Sequence, residues 1–250
     1  MRSNILMFSI AQNGYDFIYS KCIKSQELYA RINSYDYVLV NRPRWVNAAV
    51  ESAWLKIPLI LEGLSRGYEW VFFIDADCEI RPQAPRVESL EVPGKYLYLV
   101  QGRSGRVNSG VIITKNTPDT RSFFQKVLNS IERQVPEEDR KNIKYENGHI
   151  IYHSKQIKYM YLLDLRWNNT YNSNLNDYIR HYTGPMRQYY QKPILSDIKV
   201  KTLKISMKIR DRFAKSSALN IESQESLKHR LEILTQFCKK EFPAFRNSSM

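Results

Sequence analysis

Glu69-Trp70-Val71-Phe72-Phe73-Ile74-Asp75-Ala76-Asp77-Cys78 is the stretch whose reading decides the fold. Five apolar residues, mostly aromatic or β-branched, run straight into two carboxylates spaced one residue apart. A continuous apolar run of this length reads as a strand buried on both faces, as in the middle of a parallel sheet. An unpaired carboxylate against a core is costly. Asp75 and Asp77 must therefore stand at the carboxyl end of the strand, open to solvent or to a cation. Ligands of open α/β sheets bind at that end, so the local reading is a metal and phosphate site at a strand mouth. Asp-x-Asp is also a common turn sequence in which Asp caps backbone groups, and the motif alone does not separate the two readings.

Working outward toward the N-terminus, residues 5–10 read as a first strand and not a signal peptide, because the apolar run is too short and lacks a small-residue cleavage site. A turn at Ala11-Gln12-Asn13-Gly14 leads to residues 15–32, where Phe17, Ile18, Cys22, Ile23, Leu28 and Ile32 have helical spacing. Residues 35–40 form a second strand, broken by Asn41-Arg42-Pro43-Arg44. Residues 46–66 read as a helix interrupted near Pro58, with Gly67 past its end. The order strand, helix, strand, helix, strand predicts a parallel sheet with helices on both faces.

On the other side, Pro82, Pro85 and Pro93 mark a loop-rich passage before strands at 96–100 and 108–114, joined by a turn with two glycines. Thr117 and Pro118 are N-cap and first residue of an amphipathic helix over 117–134. Residues 144–151 enter a short helix, and 157–163 make a short strand. From about residue 191 the composition shifts. Lys199, Lys201, Lys204, Lys208, Arg210, Arg212 and Lys215 alternate with Val200, Leu203, Ile205, Met207, Ile209 and Phe213. As a helix this stretch has no single apolar stripe; as a strand its alternation breaks at Thr202-Leu203. It reads either as a solvated basic helix packed on the main domain or as a segment drawn to an anionic membrane surface, where each basic residue near the surface adds about 1 kcal/mol. A last helix is expected over 223–237. The expected division is 1–190 for the main domain and 191–250 for a basic, helical appendage.

The chain has 250 residues, 43% apolar and 12% aromatic, enough for a sizeable core in one large domain with or without an appendage. It has no apolar run long enough to span a membrane. Cys22, Cys78 and Cys238 are few, odd in number and without metal-ligand spacing, which points to a reducing compartment rather than a disulfide framework. Asn168-Asn169-Thr170 and Asn247-Ser248-Ser249 match the glycosylation acceptor pattern and are read as chance. A net charge of +13 calls for an anionic partner, which composition alone leaves open among nucleic acid, an acidic membrane and a polyanionic substrate.

Four clusters carry the chemistry: Asp75/Asp77, Asn108-Ser109-Gly110, Glu146-Asn147-Gly148 and His181-x-x-Gly184-x-x-Arg187. In this order, over roughly residues 5–190, they resemble the GT-A-fold glycosyltransferases that use nucleotide sugars, particularly the retaining ones: the glycogenin-like and lipopolysaccharide galactosyltransferases and the yeast-type α-mannosyl- and galactosyltransferases. Trp54-Leu55-Lys56-Ile57-Pro58 also looks like the yeast-type group. The resemblance implies an α/β, Rossmann-like, mixed and mainly parallel sheet flanked by helices.

It also implies roles. Asp77 and His181 would bind a metal directly, and Asp75 would contact the ribose and complete the metal shell. A hard divalent cation, Mn²⁺ or Mg²⁺, suits carboxylate and phosphate oxygens, and an imidazole ligand favours Mn²⁺. Gly184 would let backbone approach the diphosphate, and Arg187 would clamp it. The family more often has Lys there followed by Pro-Trp; here Gln188-Tyr189 follow Arg187. Asn108, Ser109 and Gly110 would line the donor sugar. Glu146 would bond sugar hydroxyls and Asn147 would lie near the anomeric carbon, where the family usually shows Asp-Gln. Ile10, Ala11, Gln12 and Ala76 would hold the base and ribose, Arg44 and Lys56 would contact phosphate or uracil, and Trp167 and Asn168 would face the acceptor.

Each role has a plainer alternative: a loop histidine at 181, a strand-start turn at 108–110, a helix N-terminal acid at 146, and surface cations at 44 and 56. Glu146 could also serve as the base of an inverting enzyme. The resulting expectation is a metal-dependent hexosyltransferase using a UDP-linked sugar, or GDP-mannose, on a glycan or glycolipid acceptor, cytoplasmic and peripheral at the inner membrane face. The rivals are a basic nucleic-acid-binding protein and a nucleotide-sugar-binding module without catalysis. No helix-turn-helix, zinc-finger or RNP pattern supports the former, and no nucleic acid is expected as a partner.

Overall fold

The computed structural model describes residues 3–44, 49–140, 145–213 and 226–246. Its elements in chain order are β1 (Ile5–Ile10), α1 (Tyr15–Ile18), α2 (Ser20–Ile32), β2 (Asp36–Val40), α3 (Ala49–Trp54), α4 (Lys56–Ser65), β3 (Trp70–Ile74) and β4 (Cys78–Ile80). They continue with β5 (Leu97–Gln101), β6 (Val107–Lys115), α5 (Pro118–Asn129), α6 (Asn147–Ser154), β7 (Met160–Leu163), β8 (Ile179–His181), α7 (Ser196–Phe213) and α8 (Leu227–Glu241).

The apolar run that ends at Asp75 is the strand expected, buried along its whole length. It lies inside a six-stranded sheet of order β2-β1-β3-β6-β5-β7. β1 runs parallel to both β2 and β3, β5 runs parallel to β7, and β6 alone opposes its neighbours β3 and β5. The sheet is mixed and mainly parallel, as the resemblance implied; the element order alone predicted a parallel sheet, and β6 departs from it. Alternate residues face opposite layers, as strand geometry requires. Leu6, Phe8, Val71 and Phe73 point into a core with Trp54, Ile60, Phe123 and Leu234, while Ile5, Met7, Trp70, Phe72 and Ile74 point into another with Tyr29, Tyr98 and Trp167. β4 leaves the main sheet and pairs antiparallel with β8 in a two-stranded sheet of its own.

Several boundaries differ from the sequence reading for physical reasons. The helix expected over 15–32 is split at Tyr19 (φ −102°, ψ 27°), whose ring packs on Tyr190 with centroids 5.0 Å apart. The helix expected over 46–66 is interrupted near Pro58 as read, the break falling at Leu55 between α3 and α4. Pro58 lacks the N–H that would bond the carbonyl of Trp54 one turn earlier, and as the third residue of α4 it needs no intrahelical partner itself. Residues 45–48 lie outside the described residues. α5 begins where expected, with a reciprocal Thr117–Thr120 capping box, but stops at Asn129. Ser130 then bonds back to the Val127 carbonyl (2.7 Å) and lies between His149 Nδ1 (2.9 Å) and His153 Nε2 (3.1 Å).

α7 explains the missing single stripe in the basic segment. Val200 and Leu203 press on the α1 end at Gly14, and Met207 is buried, whereas Ile198, Ile205 and Ile209 are exposed. The helix carries one apolar line against the protein and another toward solvent, with Lys201, Lys204 and Lys208 among them; Lys215 lies outside the described residues. α8, capped by Ser226, returns onto the sheet. Leu231, Leu234 and Cys238 join its core, the Phe245 ring stands edge-on to Phe8 at 5.5 Å, and Arg230 pairs with Glu51 at 2.7 Å. Residues 223–225 of the helix expected there, and Asn247-Ser248-Ser249, lie outside the described residues.

Candidate functional site

The chain turns at the end of β3, where the Cys78 amide donates to the Asp75 carbonyl (3.1 Å) and the Asp75 amide donates to Gly110 of β6 (2.8 Å). β4 then pairs with β8 so that Cys78 stands opposite His181, and the Tyr182 amide donates to the Asp77 carbonyl (2.9 Å). This register brings the acidic pair and the distant imidazole together: His181 Nε2 is 3.1 Å from Asp77 Oδ1 and 3.7 Å from Asp75 Oδ2. The Asp75 carboxylate keeps 32% and the Asp77 carboxylate 16% of its side-chain surface open, enough to meet a cation, while the imidazole keeps 4%.

The other ring nitrogen is held from behind. His181 Nδ1 is 2.9 Å from Asn168 Oδ1, Asn168 Nδ2 donates to Asn108 Oδ1 (2.9 Å), and that oxygen also accepts the Gly110 amide (3.0 Å). Burial opposes charge on His181, but Asp77 and Asp75 outweigh it and hold the imidazole above its usual range. Burial raises Asp77 too, yet His181 brings its carboxyl below the ordinary value, with Arg187 adding to the pull. Asp75 is held above its ordinary value by burial, against the pull of Lys56 and His181.

These residues fit a hard divalent cation. The Asp77 carboxylate and His181 imidazole converge, and Gly110 leaves the ring space that any side chain at that position would fill. Cys78, set aside in the sequence reading for its spacing, lies in the same group: its ligand atom and those of Asp77 and His181 are all within 4.8 Å of one another. Its thiol is buried, and burial, then Asp77 and Asp75, hold it well above its ordinary value.

A second network adjoins the first. Lys56, the first residue of α4, is 4% exposed. Its Nζ lies 2.9 Å from Glu146 Oε1, 3.3 Å from Asp75 Oδ1, 3.3 Å from the Ser109 carbonyl and 4.6 Å from the Phe73 ring centre. Burial disfavours the ammonium, but Asp75 and Glu146 together raise it above its usual range. Ser109 ties in the remaining pair, its hydroxyl donating to Glu146 Oε1 (2.8 Å) and its amide to Asn147 Oδ1 (2.8 Å). Glu146 stands at the N-cap of α6 but makes no side-chain cap bond; its carboxylate is turned to Lys56 and Ser109.

The other expected residues divide. Ala11 and Ala76 pack together with Ile23, at the mouth of β1 and β3. Ile10 closes β1 half-buried. The Gln12 side chain is engaged locally, donating to the Pro43 carbonyl (3.2 Å) and accepting from Ser52 (2.6 Å). Arg44 pairs with Asp16 (2.7 Å) and lies over Phe17 (5.0 Å). Gly184 (φ 49°) and Arg187 are exposed on the turn after β8. Trp167 does not face an acceptor: it is 3% exposed and packs in the core. Asn168 is fully buried, so it neither meets an acceptor nor accepts a glycan in the folded chain. Its place behind His181 has no local sequence signal.

No protein-family model and no curated protein matches the chain. Among solved structures it is similar to a glycosyltransferase involved in the glycosylation of the major capsid of PBCV-1, at 15% identity and a TM-score of 0.59, covering 79% of this chain and 98% of that one. Glycosyltransferase GlyE of Streptococcus pneumoniae TIGR4 aligns at 13% identity over 86% of this chain and 65% of that one, TM-score 0.49. The galactosyltransferase LgtC, in complex with donor and acceptor sugar analogues, aligns at 12% identity over 80% and 95%, TM-score 0.48. The likeness to the capsid glycosyltransferase is one of fold: an α/β architecture with a mixed, mainly parallel sheet flanked by helices, as the resemblance implied.

Proposed function

We propose that this chain is a metal-dependent glycosyltransferase that moves a hexose from a nucleotide sugar, UDP-linked, to a hydroxyl of a glycan or glycolipid, with retention of anomeric configuration. The observation that carries this reading is the 3.1 Å approach of His181 Nε2 to Asp77 Oδ1 at the mouth of β3, beside the Lys56–Glu146 pair. Asp77 and His181, with Asp75, would hold Mn²⁺ or Mg²⁺. Such an ion supplies Lewis-acid neutralisation of the departing nucleoside diphosphate.

The chain's own groups do the rest. Arg187, exposed and close enough to act on Asp77, offers a bidentate contact to phosphate, with Gly184 beside it. The end of β1 and the turn that follows, Ile10-Ala11-Gln12, receive the base and ribose. Lys56 acts as a positioning cation that fixes Glu146 and Asp75 relative to each other. Glu146 bonds sugar hydroxyls. The Asn147 oxygen, already turned to the Ser109 amide, has a second lone pair to set against positive charge developing on the ring. Retention is what the resemblance implies, with Glu146 Oε1 taken up by Lys56 and Ser109. Exposed Ile198, Ile205 and Ile209 among the lysines of α7 support an anionic membrane face near the acceptor. No helix among the described residues is long and apolar enough to cross a membrane.

The test is release of UDP or GDP from UDP-galactose, UDP-glucose and GDP-mannose, with and without Mn²⁺. Turnover that requires the cation and disappears in Asp77→Ala is expected. No turnover with any of these donors would sink the proposal, and UDP binding without turnover would point to a binding module.

A further inference from the structure

The hydrogen bonds behind His181 determine which of its nitrogens faces the acids. The Gly110 amide can only donate, so the Asn108 atom it meets at 3.0 Å is an oxygen. That oxygen also meets the Asn168 side chain at 2.9 Å, so the Asn168 atom there is the amide nitrogen. Its other end is then the oxygen, 2.9 Å from His181 Nδ1, and an oxygen there requires a proton on Nδ1. The orientation of two side-chain amides and one imidazole follows from one backbone N–H.

Asn168 is itself immobilised. It is fully buried, its amide donates to Leu165 (3.0 Å), and it follows Trp167 in the core. The next residue, Asn169, is bonded at both backbone groups to the strand that carries His181: Asn169 N–H to Ile179 (2.9 Å) and His181 N–H to Asn169 (3.1 Å). Gly110 leaves the space against its backbone that the ring occupies.

We infer that Asn168 is a positioning residue: it keeps the proton on Nδ1 of His181 and presents Nε2 to Asp75 and Asp77 as the ligand atom for a divalent cation. This rests on the cation reading proposed above. An imidazole free to choose would spread over both tautomers and ring orientations, and groups that hold a ligating histidine from behind contribute about 10- to 100-fold in metal affinity.

Two arms test it, neither requiring turnover. In the first, long-range ¹H–¹⁵N NMR on the metal-free wild type in alkaline buffer reads the His181 tautomer. Protonation at Nδ1 is expected, and protonation at Nε2 overturns the inference without any variant having to fold. In the second, Mn²⁺ is titrated into the folded wild type, Asn168→Leu and Asn168→Asp, with free Mn²⁺ read by EPR. Leu fills similar volume but accepts nothing, so affinity should fall about 10- to 100-fold and the Nδ1–H signal should be lost. Asp still accepts from Nδ1 and should stay much nearer the wild type. Equal affinity and an unchanged tautomer in Asn168→Leu overturn the inference. A wild type that binds no Mn²⁺ overturns the cation reading itself, whereas the tautomer arm fails only if Asn168 does not set the ring.

Discussion

The His181 ring rests directly on the backbone of Gly110: a Cβ at position 110 would come within 2.7 Å of His181 Nδ1 and 2.8 Å of Asp75 Oδ2, and closer still to the ring edge. The three residues expected to line a sugar therefore have three separate tasks. Asn108 orients Asn168, Ser109 holds Glu146 and Asn147, and Gly110 leaves room for the imidazole.

Gly110→Ala should push the ring or the Asp75 carboxylate out of place. Overpacking of this kind costs about 1–3 kcal/mol, so the urea midpoint should drop and Mn²⁺ affinity should fall with it. Wild-type affinity in this variant would show that the close approach is not needed.

Lys56→Met should be among the most damaging substitutions. It leaves Asp75 and Glu146 near each other without the cation between them, and removing one partner of a buried pair costs about 3–5 kcal/mol. Adding Glu146→Gln to Lys56→Met should recover part of that loss in urea unfolding, because the orphaned charge goes too. Strict additivity of the two changes would contradict the pairing.

Asp77→Asn removes the main upward pull on His181, which burial by itself holds down. The imidazole should titrate at lower pH than in the wild type, as NMR would show. The raised pKa also has a sign in stability. In the metal-free wild type the charged His181 contributes fully below the unfolded value near 6.5, and the contribution fades as pH rises through the folded value. Asp77→Asn should remove this acid-side contribution.

His149 has the opposite sign. Burial, with His153 adding to it and Glu146 opposing, holds its pKa down at about 4 from the usual 6.5. Trp54 of α3 and Ser130 after α5 face its ring, and His153, itself lowered by burial and by Lys126 and Arg133, completes the surroundings. The unfolded chain takes up this proton first, so stability should decline as pH falls from about 6.5 to about 4 and be unaffected above. His149→Gln should have a flatter Tm profile across that window, and an equally steep one would assign the decline elsewhere.

Local patterns in the sequence determined several of the elements. The bounds of β1 and β3, the Thr117 cap and the acidic pair at a strand end depend on periodicity and side-chain chemistry over a few residues, and each was readable there; the His-x-x-Gly-x-x-Arg cluster was picked out through the family resemblance. Only the tertiary structure decided what those residues meet. The β4–β8 register that sets Cys78 opposite His181, the burial of Lys56 between Asp75 and Glu146, the place of Asn168 behind the ring, and the return of α8 to the core join positions far apart in the chain. Those contacts depend on sheet order and on the packing of layers, which are properties of the whole chain's burial and leave no mark in any short stretch of it.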